Sequence, residues 1–238
     1  MKHRSDSKAV DPVQIGAIVR EQIESAGWRP CVSGQFPGRM AKLAELIALW
    51  GSKTNLTARP EDPLETAFHI FDSVMSLVIA RSHKPFLLEG AFSAGQRVLD
   101  LGSGAGFPGL VLAAASDAHF TLIESRRRRT SFLAVTCAEM GLLNVDVITG
   151  RIEDAHLSAD YDLVVTRALG APTMFTSTAL AGLHPGGFAV QYASEAQLAG
   201  LLARGLPGFA PASHLGYTVR RRDRSMNRAL VFWRKLQR

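Results

Sequence analysis

Apolar residues in the first third of the chain recur at helical spacing. Side chains three or four positions apart are apolar in three segments, which predicts amphipathic helices. These helices are expected over about 12–26, 39–50 and 64–81. The first nine residues are mostly polar and lack this pattern, so we expect a disordered tail over residues 1–9. Together these features predict an N-terminal helical subdomain over residues 10–90.

The pattern changes in the rest of the chain, where short apolar runs alternate with helical segments. Such alternation is typical of a parallel, doubly wound sheet. The predicted strands cover 97–101, 119–124, 144–149, 161–167, 187–192, 214–221 and 227–234. The predicted helices cover 108–116, 126–140, 172–183 and 194–203. The last two strands form a predicted hairpin, so residues 91–238 are expected to form an α/β domain whose seven-stranded sheet ends in an antiparallel strand.

The link between the first strand and the first helix of this domain is dense in glycine. The strand ends in Asp100 and Leu101, and residues 102–109 read Gly-Ser-Gly-Ala-Gly-Phe-Pro-Gly. Glycines allow positive φ and let a ligand lie against bare backbone amides. In nucleotide-binding βαβ units, an acid about 20 residues beyond the glycines binds the ribose hydroxyls. Glu124, at the end of the second strand, stands at that distance.

Two cofactors fit such a loop. The spacing Gly104-x-Gly106-x-x-Gly109 matches the dinucleotide fingerprint. Asp100 argues against NAD, because it places a carboxylate beside a loop that would hold a doubly negative pyrophosphate. S-adenosylmethionine (SAM) has no phosphate, and its ammonium and sulfonium groups favour a nearby carboxylate. The pattern therefore favours SAM and resembles the first motif of a class I methyltransferase, whose sheet is Rossmann-like.

The topology of an open α/β sheet predicts where its ligand binds. Ligands lie beyond the carboxyl ends of the strands. The segments expected to line that cleft are 102–106, Glu124, 150–154 and 166–168. Ile152 and Glu153 are candidates to flank an adenine ring, although they also fit an ordinary helix-capping turn. Arg167 ends an otherwise apolar strand, so we expect its guanidinium group to pair with a carboxylate such as Asp100 or with a substrate phosphate.

The charge of the chain narrows the class of partner. The 238 residues carry a formal net charge of +6, with a pI of about 9.7. A basic protein of this size is typical of nucleic-acid binding, although a solvated basic surface gives the same totals. The arginines are clustered in two blocks, the first over residues 126–129 and the second over residues 220–224, and this clustering favours nucleic acid. The candidate RNA-binding residues are Arg126, Arg127, Arg128, Arg129, Arg220, Arg221, Arg222 and Arg224.

Other features of the sequence limit the cellular location and the kinds of site that the protein can contain. Cys31 and Cys137 are the two cysteines, so we expect a reducing cytoplasm and no disulfide. No Cys/His cluster has metal-ligand spacing, and no apolar run reaches the roughly 18 residues that a membrane span needs. In the third helix His69, Asp72 and Ser73 share one face, which fits either a polar site or an ordinary helix surface.

Several segments together resemble the RsmG (GidB) family of bacterial SAM-dependent methyltransferases, which act on guanine N7 in 16S ribosomal RNA. The resemblance runs from about residue 36 to the C-terminus. The segments that carry it are Asn55-Leu56-Thr57, His69-Ile70-Phe71-Asp72-Ser73, the run 100–109, Glu124-Ser125, Phe132-Leu133 and Thr166-Arg167-Ala168. The glycine run, preceded at about thirty residues by the histidine segment, is specific to this family.

The resemblance implies a class I methyltransferase fold and a site. It implies SAM contacts at Gly102, Phe107, Ile152, Glu153 and Arg167, with Glu124 at the ribose. Asp100, Gly104 and Gly106 complete the candidate cofactor-binding set. Guanine N7 already has a free lone pair and loses no proton, so we expect a positioning mechanism without a catalytic general base. The implied partner is 16S rRNA in the small ribosomal subunit, bound by a monomer without metal or membrane.

The sequence also departs from the family pattern. The lysine expected just after the fifth strand is missing from Phe188–Ala193, Gly51 replaces an asparagine, and arginines replace the paired lysines after Glu124-Ser125. Three functions therefore stay open: an rRNA guanine-N7 methyltransferase or its diverged paralogue, a SAM-dependent enzyme for a small molecule, and a non-catalytic RNA-binding assembly factor. The arginine blocks count against a small-molecule substrate, and the missing lysine is the one feature that favours the non-catalytic protein.

Overall fold

A computed structural model describes residues 12–27, 31–82, 88, 90–154, 157–167 and 172–237. The predicted tail over residues 1–9 lies outside these ranges. The helices are α1 (Pro12–Ser25), α2 (Phe36–Thr54), α3 (Pro63–Arg81), α4 (Gly109–Ala115), α5 (Arg127–Glu139), α6 (Pro172–Gly182) and α7 (Glu195–Arg204). The strands are β1 (Arg97–Leu101), β2 (His119–Glu124), β3 (Val145–Thr149), β4 (Tyr161–Arg167), β5 (Leu183–Ser194), β6 (Ser213–Arg221) and β7 (Arg224–Arg234).

The strands form one seven-stranded sheet in the order β3-β2-β1-β4-β5-β7-β6. Strands β1 to β5 are parallel, whereas β7 pairs antiparallel with both β5 and β6. The order reverses between β1 and β4, so a ligand is expected at the carboxyl ends of these strands. This arrangement confirms the predicted α/β fold with a terminal hairpin and an antiparallel strand.

The N-terminal helices form because each presents an apolar face to the core. In α2 the side chains of Phe36, Met40, Leu43 and Ile47 are fully buried, and their spacing of three or four places them on one face. The helix begins three residues earlier than the predicted 39–50, because Phe36 is part of this face and Pro37 is tolerated in the first turn. The helix ends at Thr54, where the next residue adopts a left-handed conformation.

Helix α3 is the central element of this part of the chain. Asp62 caps its N-terminus by accepting the backbone N–H of Leu64 at 3.0 Å. The helix contacts both α4 and β6, and one hydrophobic cluster joins α1, α2 and α3 to one face of the sheet. The predicted subdomain therefore packs directly on the sheet, and its boundary at residue 90 stays a prediction.

Length and composition alone would let α3 cross a membrane. Of the helices in the described ranges it is the one that passes that test, and 78% of the tested window is buried inside the protein. Burial of this extent is typical of the central helix of a globular core.

The register of the terminal hairpin places its turn at a defined edge of the sheet. Ser194, at the carboxyl end of β5, lies opposite Arg228 of β7. The hairpin continues for four more residues to Arg224, which pairs with Arg221. The basic turn therefore extends beyond the edge at which the parallel strands end, which is the edge predicted to bind ligand.

Close packing between β1 and α4 requires glycine at position 109. A Cβ atom at Gly109 would collide with Asp100 Oδ2 and with Leu122 Cδ2. This is the position at which a glycine in βαβ units allows a helix to approach its strand. The sequence pattern of the loop is thus explained in part by packing.

We expect the substitution Gly109→Ala to lower the free energy of unfolding by about 1–3 kcal/mol, because the methyl group overpacks the contact with Asp100 and Leu122. Denaturant unfolding monitored by circular dichroism measures it. The matched control is Gly200→Ala in α7, where a Cβ meets nothing within 4 Å. That change should be neutral or stabilising by up to about 1 kcal/mol. Equal effects at the two positions would contradict the packing argument.

Candidate functional site

The carboxylate of Asp100 lies at the centre of the glycine loop. Its Oδ2 atom accepts the backbone N–H of Gly109 at 3.0 Å, and its side chain is completely buried. Its Oδ1 atom is buried as well and has no hydrogen-bond partner among the described residues. Burial raises the pKa of Asp100 to about 7. An unpartnered buried oxygen beside the loop is suited to a cationic ligand.

The loop itself is held in conformations that favour glycine. Gly102, Gly104 and Gly106 all have positive φ, at 74°, 57° and 87°. At Gly106 a Cβ atom would also collide with the Leu110 side chain. At Gly104 a Cβ atom would lie 3.8 Å from Arg129 Nη1 and from the Gly102 carbonyl oxygen, which is an ordinary contact distance, so there the backbone conformation alone favours glycine. Gly104 itself is half-buried, so a ligand can reach part of its backbone.

Glu124 reaches this loop from the end of β2. Its Oε2 atom accepts the N–H of Gly104 at 3.1 Å, and its Oε1 atom accepts the N–H of Arg126 at 2.8 Å. A guanidinium nitrogen of Arg129 lies 3.7 Å from Oε2. The carboxylate predicted to bind ribose is thus fixed against the glycine loop by two backbone groups and one cation.

Aromatic and cationic groups form the opposite wall of the cleft. The Arg167 guanidinium carbon lies 5.0 Å from the centre of the Phe107 ring, and the His69 ring lies 5.1 Å from it. Arg167 donates to Asp72 Oδ2 at 3.3 Å and contacts His69 Nδ1 at 3.2 Å. Arg167 therefore pairs with a carboxylate, as expected, but the partner is Asp72 on α3 and the suggested partner Asp100 is wrong.

Asp72 is a residue whose role the sequence left undecided. It is completely buried and accepts four hydrogen bonds from three side chains, one on each of three strands. Tyr217 donates to Oδ1 at 2.7 Å, and Arg228 donates to Oδ1 at 2.9 Å and to Oδ2 at 3.1 Å. Arg167 completes the set. Asp72 therefore belongs to a buried polar centre and not to an exposed helix surface.

Sequence reasoning missed Tyr217 and Arg228 as members of this centre. The available signal was the unusual presence of His69, Asp72 and Ser73 in a helix that is otherwise apolar. Burial and the guanidinium groups of Arg167, Arg221 and Arg228 lower the pKa of His69 to about 2, so its ring is neutral at physiological pH.

The segment after β3 closes the other end of the cleft. Ile152 is buried in a short 3₁₀ helix, Ile152–Asp154, whereas Glu153 is exposed. The N–H of Gly150 donates to the backbone carbonyl of Glu124 at 3.1 Å. The structure therefore brings Ile152 and Glu153 to the same edge as Glu124, where they were expected. Ala168, from the fourth expected segment, lies outside the described residues.

The first arginine block divides into two kinds of residue. Arg126, Arg127 and Arg128 are exposed at the N-terminus of α5, although Arg128 also donates to the Lys53 carbonyl at 3.5 Å. Arg129 donates to the Asn55 carbonyl at 2.6 Å and faces Glu124. Arg129 is therefore engaged within the protein, which argues against its predicted role as a free phosphate contact.

The second block divides in the same way. Arg221 forms two hydrogen bonds with Glu65, and Arg222 pairs with Asp62. These two arginines connect the hairpin to the start of α3, and their charges are compensated there. Arg220 and Arg224 are exposed, so they stay the stronger candidates for RNA contact.

The described parts of the chain contain no cluster of metal ligands and no disulfide. No group of three or more His, Cys, Asp or Glu side chains is placed there to hold a metal ion. Cys31 and Cys137 are both buried free thiols. Burial raises the pKa of the Cys137 thiol to about 11, which keeps it protonated and unreactive.

Comparison with known proteins gives one family. Residues 38–204 match the family model described as "rRNA small subunit methyltransferase G". A "Ribosomal RNA small subunit methyltransferase G" of Nitrosomonas europaea is 31% identical over 77% of this chain and 87% of its own length. The protein of the same name from Acidiphilium cryptum is 40% identical over 71% of this chain and 70% of its own.

Comparison with solved structures gives the fold. The tRNA (m1A58) methyltransferase TrmI of Aquifex aeolicus matches with a TM-score of 0.55 at 16% identity, covering 71% of this chain and 69% of that one. A SAM-dependent O-methyltransferase of Thermotoga maritima matches with a TM-score of 0.51 at 18% identity, covering 71% and 72%. At these identities the likeness concerns the fold alone.

The raised pKa of Asp100 leads to a prediction for stability against pH. Its folded-state pKa of about 7 lies above the ordinary value of 3.8, so its stabilising contribution is lost as pH rises towards 7. Relative to Asp100→Asn, the free energy of unfolding of the unliganded wild type should fall by about 1 kcal/mol per pH unit between about pH 5 and 7. Thermal unfolding across pH measures this. The exposed Asp117→Asn is the control, and a pH-independent difference for Asp100→Asn would contradict the prediction.

Proposed function

The chain belongs to the rRNA small subunit methyltransferase G family, and we propose that it transfers the methyl group of SAM to N7 of a guanine in 16S ribosomal RNA. The observation that supports it most is the pair of carboxylates, Asp100 and Glu124, held against a glycine loop. An acidic loop of this kind favours a cationic cofactor over a pyrophosphate. NAD is thereby disfavoured.

The residues present fit SAM. The unpartnered Oδ1 atom of Asp100 offers a counter-charge for a cationic group of the cofactor. Glu124 stands at the loop with an arrangement suited to ribose hydroxyls. We assign Gly102, Ile152 and Glu153 to the adenosine side and Arg167 with Phe107 to the methionine side of the cleft. When bound, SAM supplies an electrophilic methyl group on its sulfonium.

The protein contributes mainly position and the exclusion of water. Guanine N7 attacks with its own lone pair and releases no proton there, so no residue is needed as a general base. His69 and Arg167 pack on the buried Phe107 ring and stay partly exposed themselves, and we assign to this wall the contact with an unstacked base. Neutral His69 adds no charge to that wall. Holding base and methyl donor in line is the step that the geometry favours.

RNA is the substrate class that the charge supports. The exposed arginines Arg126, Arg127, Arg220 and Arg224 lie at the carboxyl edge of the sheet, beside the cleft. We assign them to backbone phosphates, which position RNA without reading its sequence. A small-molecule enzyme would not need them. We further propose a cytoplasmic monomer that acts on the small ribosomal subunit.

The absence of the lysine expected just after β5 supports a second candidate function. The carboxyl end of β5 holds Tyr192, whose hydroxyl donates to the Ser73 carbonyl at 2.6 Å and lies within hydrogen-bond distance of Ser76 Oγ, also at 2.6 Å. No cation of β5 therefore stands there to meet RNA. A non-catalytic assembly factor that binds SAM and RNA is the alternative that this observation favours.

The decisive experiment uses small ribosomal subunits from cells that lack this protein. Incubation with purified protein and SAM, followed by nucleoside mass spectrometry, should reveal 7-methylguanosine. Gly104→Val serves as the impaired variant, because its branched side chain disfavours φ of 57° and fills the approach to the loop. A different methylated nucleoside would contradict the N7 assignment. SAM binding without any transfer would favour the assembly factor.

The exposed half of the first arginine block gives a separate prediction. Changing Arg126 and Arg127 together to Glu should weaken RNA binding and reduce its salt slope by roughly two, with SAM affinity within a few-fold. Fluorescence anisotropy across a salt series measures the first effect, and calorimetry the second. Arg20 and Arg204, exposed on α1 and α7, give a control with the same charge reversal. If both double variants bind RNA equally well, Arg126 and Arg127 do not contact RNA and belong to a solvated helix face.

A further inference from the structure

A second cavity lies beside the cofactor cleft, between the loop that follows α2 and the β6–β7 turn. Its volume is about 550 Å³, and none of the residues assigned to SAM above lines it. Ala58 and Met226 give it an apolar wall. Four arginines stand around it, namely Arg59, Arg221, Arg222 and Arg224.

The four arginines are not equivalent. Arg221 and Arg222 are compensated by Glu65 and Asp62, and these pairs fix the shape of the cavity. Arg59 and Arg224 are exposed, and neither side chain forms a hydrogen bond or ion pair with another described residue. The cavity therefore has a rigid base and two guanidinium groups that are free to bind an anion.

Two carboxylates also line the cavity and set its net charge. Glu65 is buried and bound by Arg221, while Asp223 is exposed in the turn. Asp62, which compensates Arg222, adds a third acid beside the lining, so four arginines face three acids and the cavity keeps one net positive charge. A positive cavity with an apolar wall suits a ligand that combines a flat apolar surface with a phosphate, since bases stack on apolar and guanidinium surfaces while phosphates pair with arginine.

The position of the cavity relates it to the cleft. The hairpin turn extends beyond the carboxyl ends of the parallel strands, as does the glycine loop. From Arg221 at the cavity, successive contacts lead through Phe68 and His69 to Phe107, each with a separation of 5.1–5.2 Å. A short stretch of single-stranded RNA can span this distance.

We propose that the cavity between Arg59 and the β6–β7 turn binds one nucleotide of single-stranded RNA that flanks the target guanine. Arg59 and Arg224 hold its phosphate, and its base lies against Met226 and Ala58. The inference rests on the proposed function in one respect, that RNA is the substrate. An acidic peptide would pair with the arginines and leave the apolar wall unfilled, so RNA is the better occupant.

The test removes the two free cations and keeps a polar side chain at each position. The double variant Arg59→Gln/Arg224→Gln is compared with Arg20→Gln/Arg204→Gln, which removes the same charge elsewhere on the surface. The probe is a short fluorescent oligoadenylate, titrated by anisotropy across a salt series. We expect the cavity variant to bind about tenfold more weakly, with a salt slope lower by roughly two, and the control to resemble wild type. SAM affinity, measured by calorimetry, should be unchanged in both.

Two competing probes decide what the cavity binds. Polyphosphate of equal charge should compete less well than RNA, because it lacks a base. Equal competition by polyphosphate, stronger competition by polyglutamate, or oligoadenylate binding equal to the control's would each overturn the proposal.

Turnover separates this proposal from the proposed function. With small ribosomal subunits as substrate, the cavity variant should raise KM several-fold and leave kcat within about twofold, because the cavity binds RNA and takes no part in transfer. An unchanged KM would overturn the proposal. Wild-type protein that binds the oligonucleotide through Arg59 and Arg224 but transfers no methyl group would contradict the proposed activity and leave the nucleotide site supported.

Discussion

The arrangement of the cleft depends on the buried carboxylate of Asp72. This side chain on α3 is contacted by Arg167 of β4, Tyr217 of β6 and Arg228 of β7, so one helix is tied to three strands. Loss of the carboxylate would leave two guanidinium groups without their counter-charge, at a cost typically of about 3–5 kcal/mol. The carboxylate therefore fixes α3 against the carboxyl edge of the sheet.

The position of α3 determines the form of the glycine loop. His69, one turn before Asp72, lies against Phe107 at the end of the loop, while Asp100 binds Gly109 from the sheet side. The loop is thus held from two directions, by an aromatic contact and by a buried hydrogen bond. The guanidinium groups around Asp72 also keep His69 neutral, because they add to the effect of burial on its pKa. Fold and site therefore share the same contacts.

The sequence predicted the local elements well and the long-range contacts poorly. The bounds of β1, β2 and β4 agree with the structure, because each is a short apolar run that ends in a polar or glycine residue. The glycine loop and Glu124 were also placed correctly, since their spacing is local. The partners of Arg221 and Arg228 lie 156 residues away, and no pattern of neighbouring residues reveals such a pairing. For the same reason the face of α3 with Asp72 could not be distinguished from an exposed surface.

The arginine clusters show why charge in the sequence does not translate directly into RNA contact. Arg221 and Arg228 each present two nitrogens to the two oxygens of one carboxylate, a geometry that lysine cannot provide. These arginines shape the protein and leave little charge for a ligand. Arg59 and Arg224, beside them, have no such partner among the residues that the structure describes, and both are exposed. Because the compensated arginines tie the hairpin to the start of α3, Arg224 is presented at a fixed position beside Arg59, which is the arrangement that the proposed nucleotide site requires.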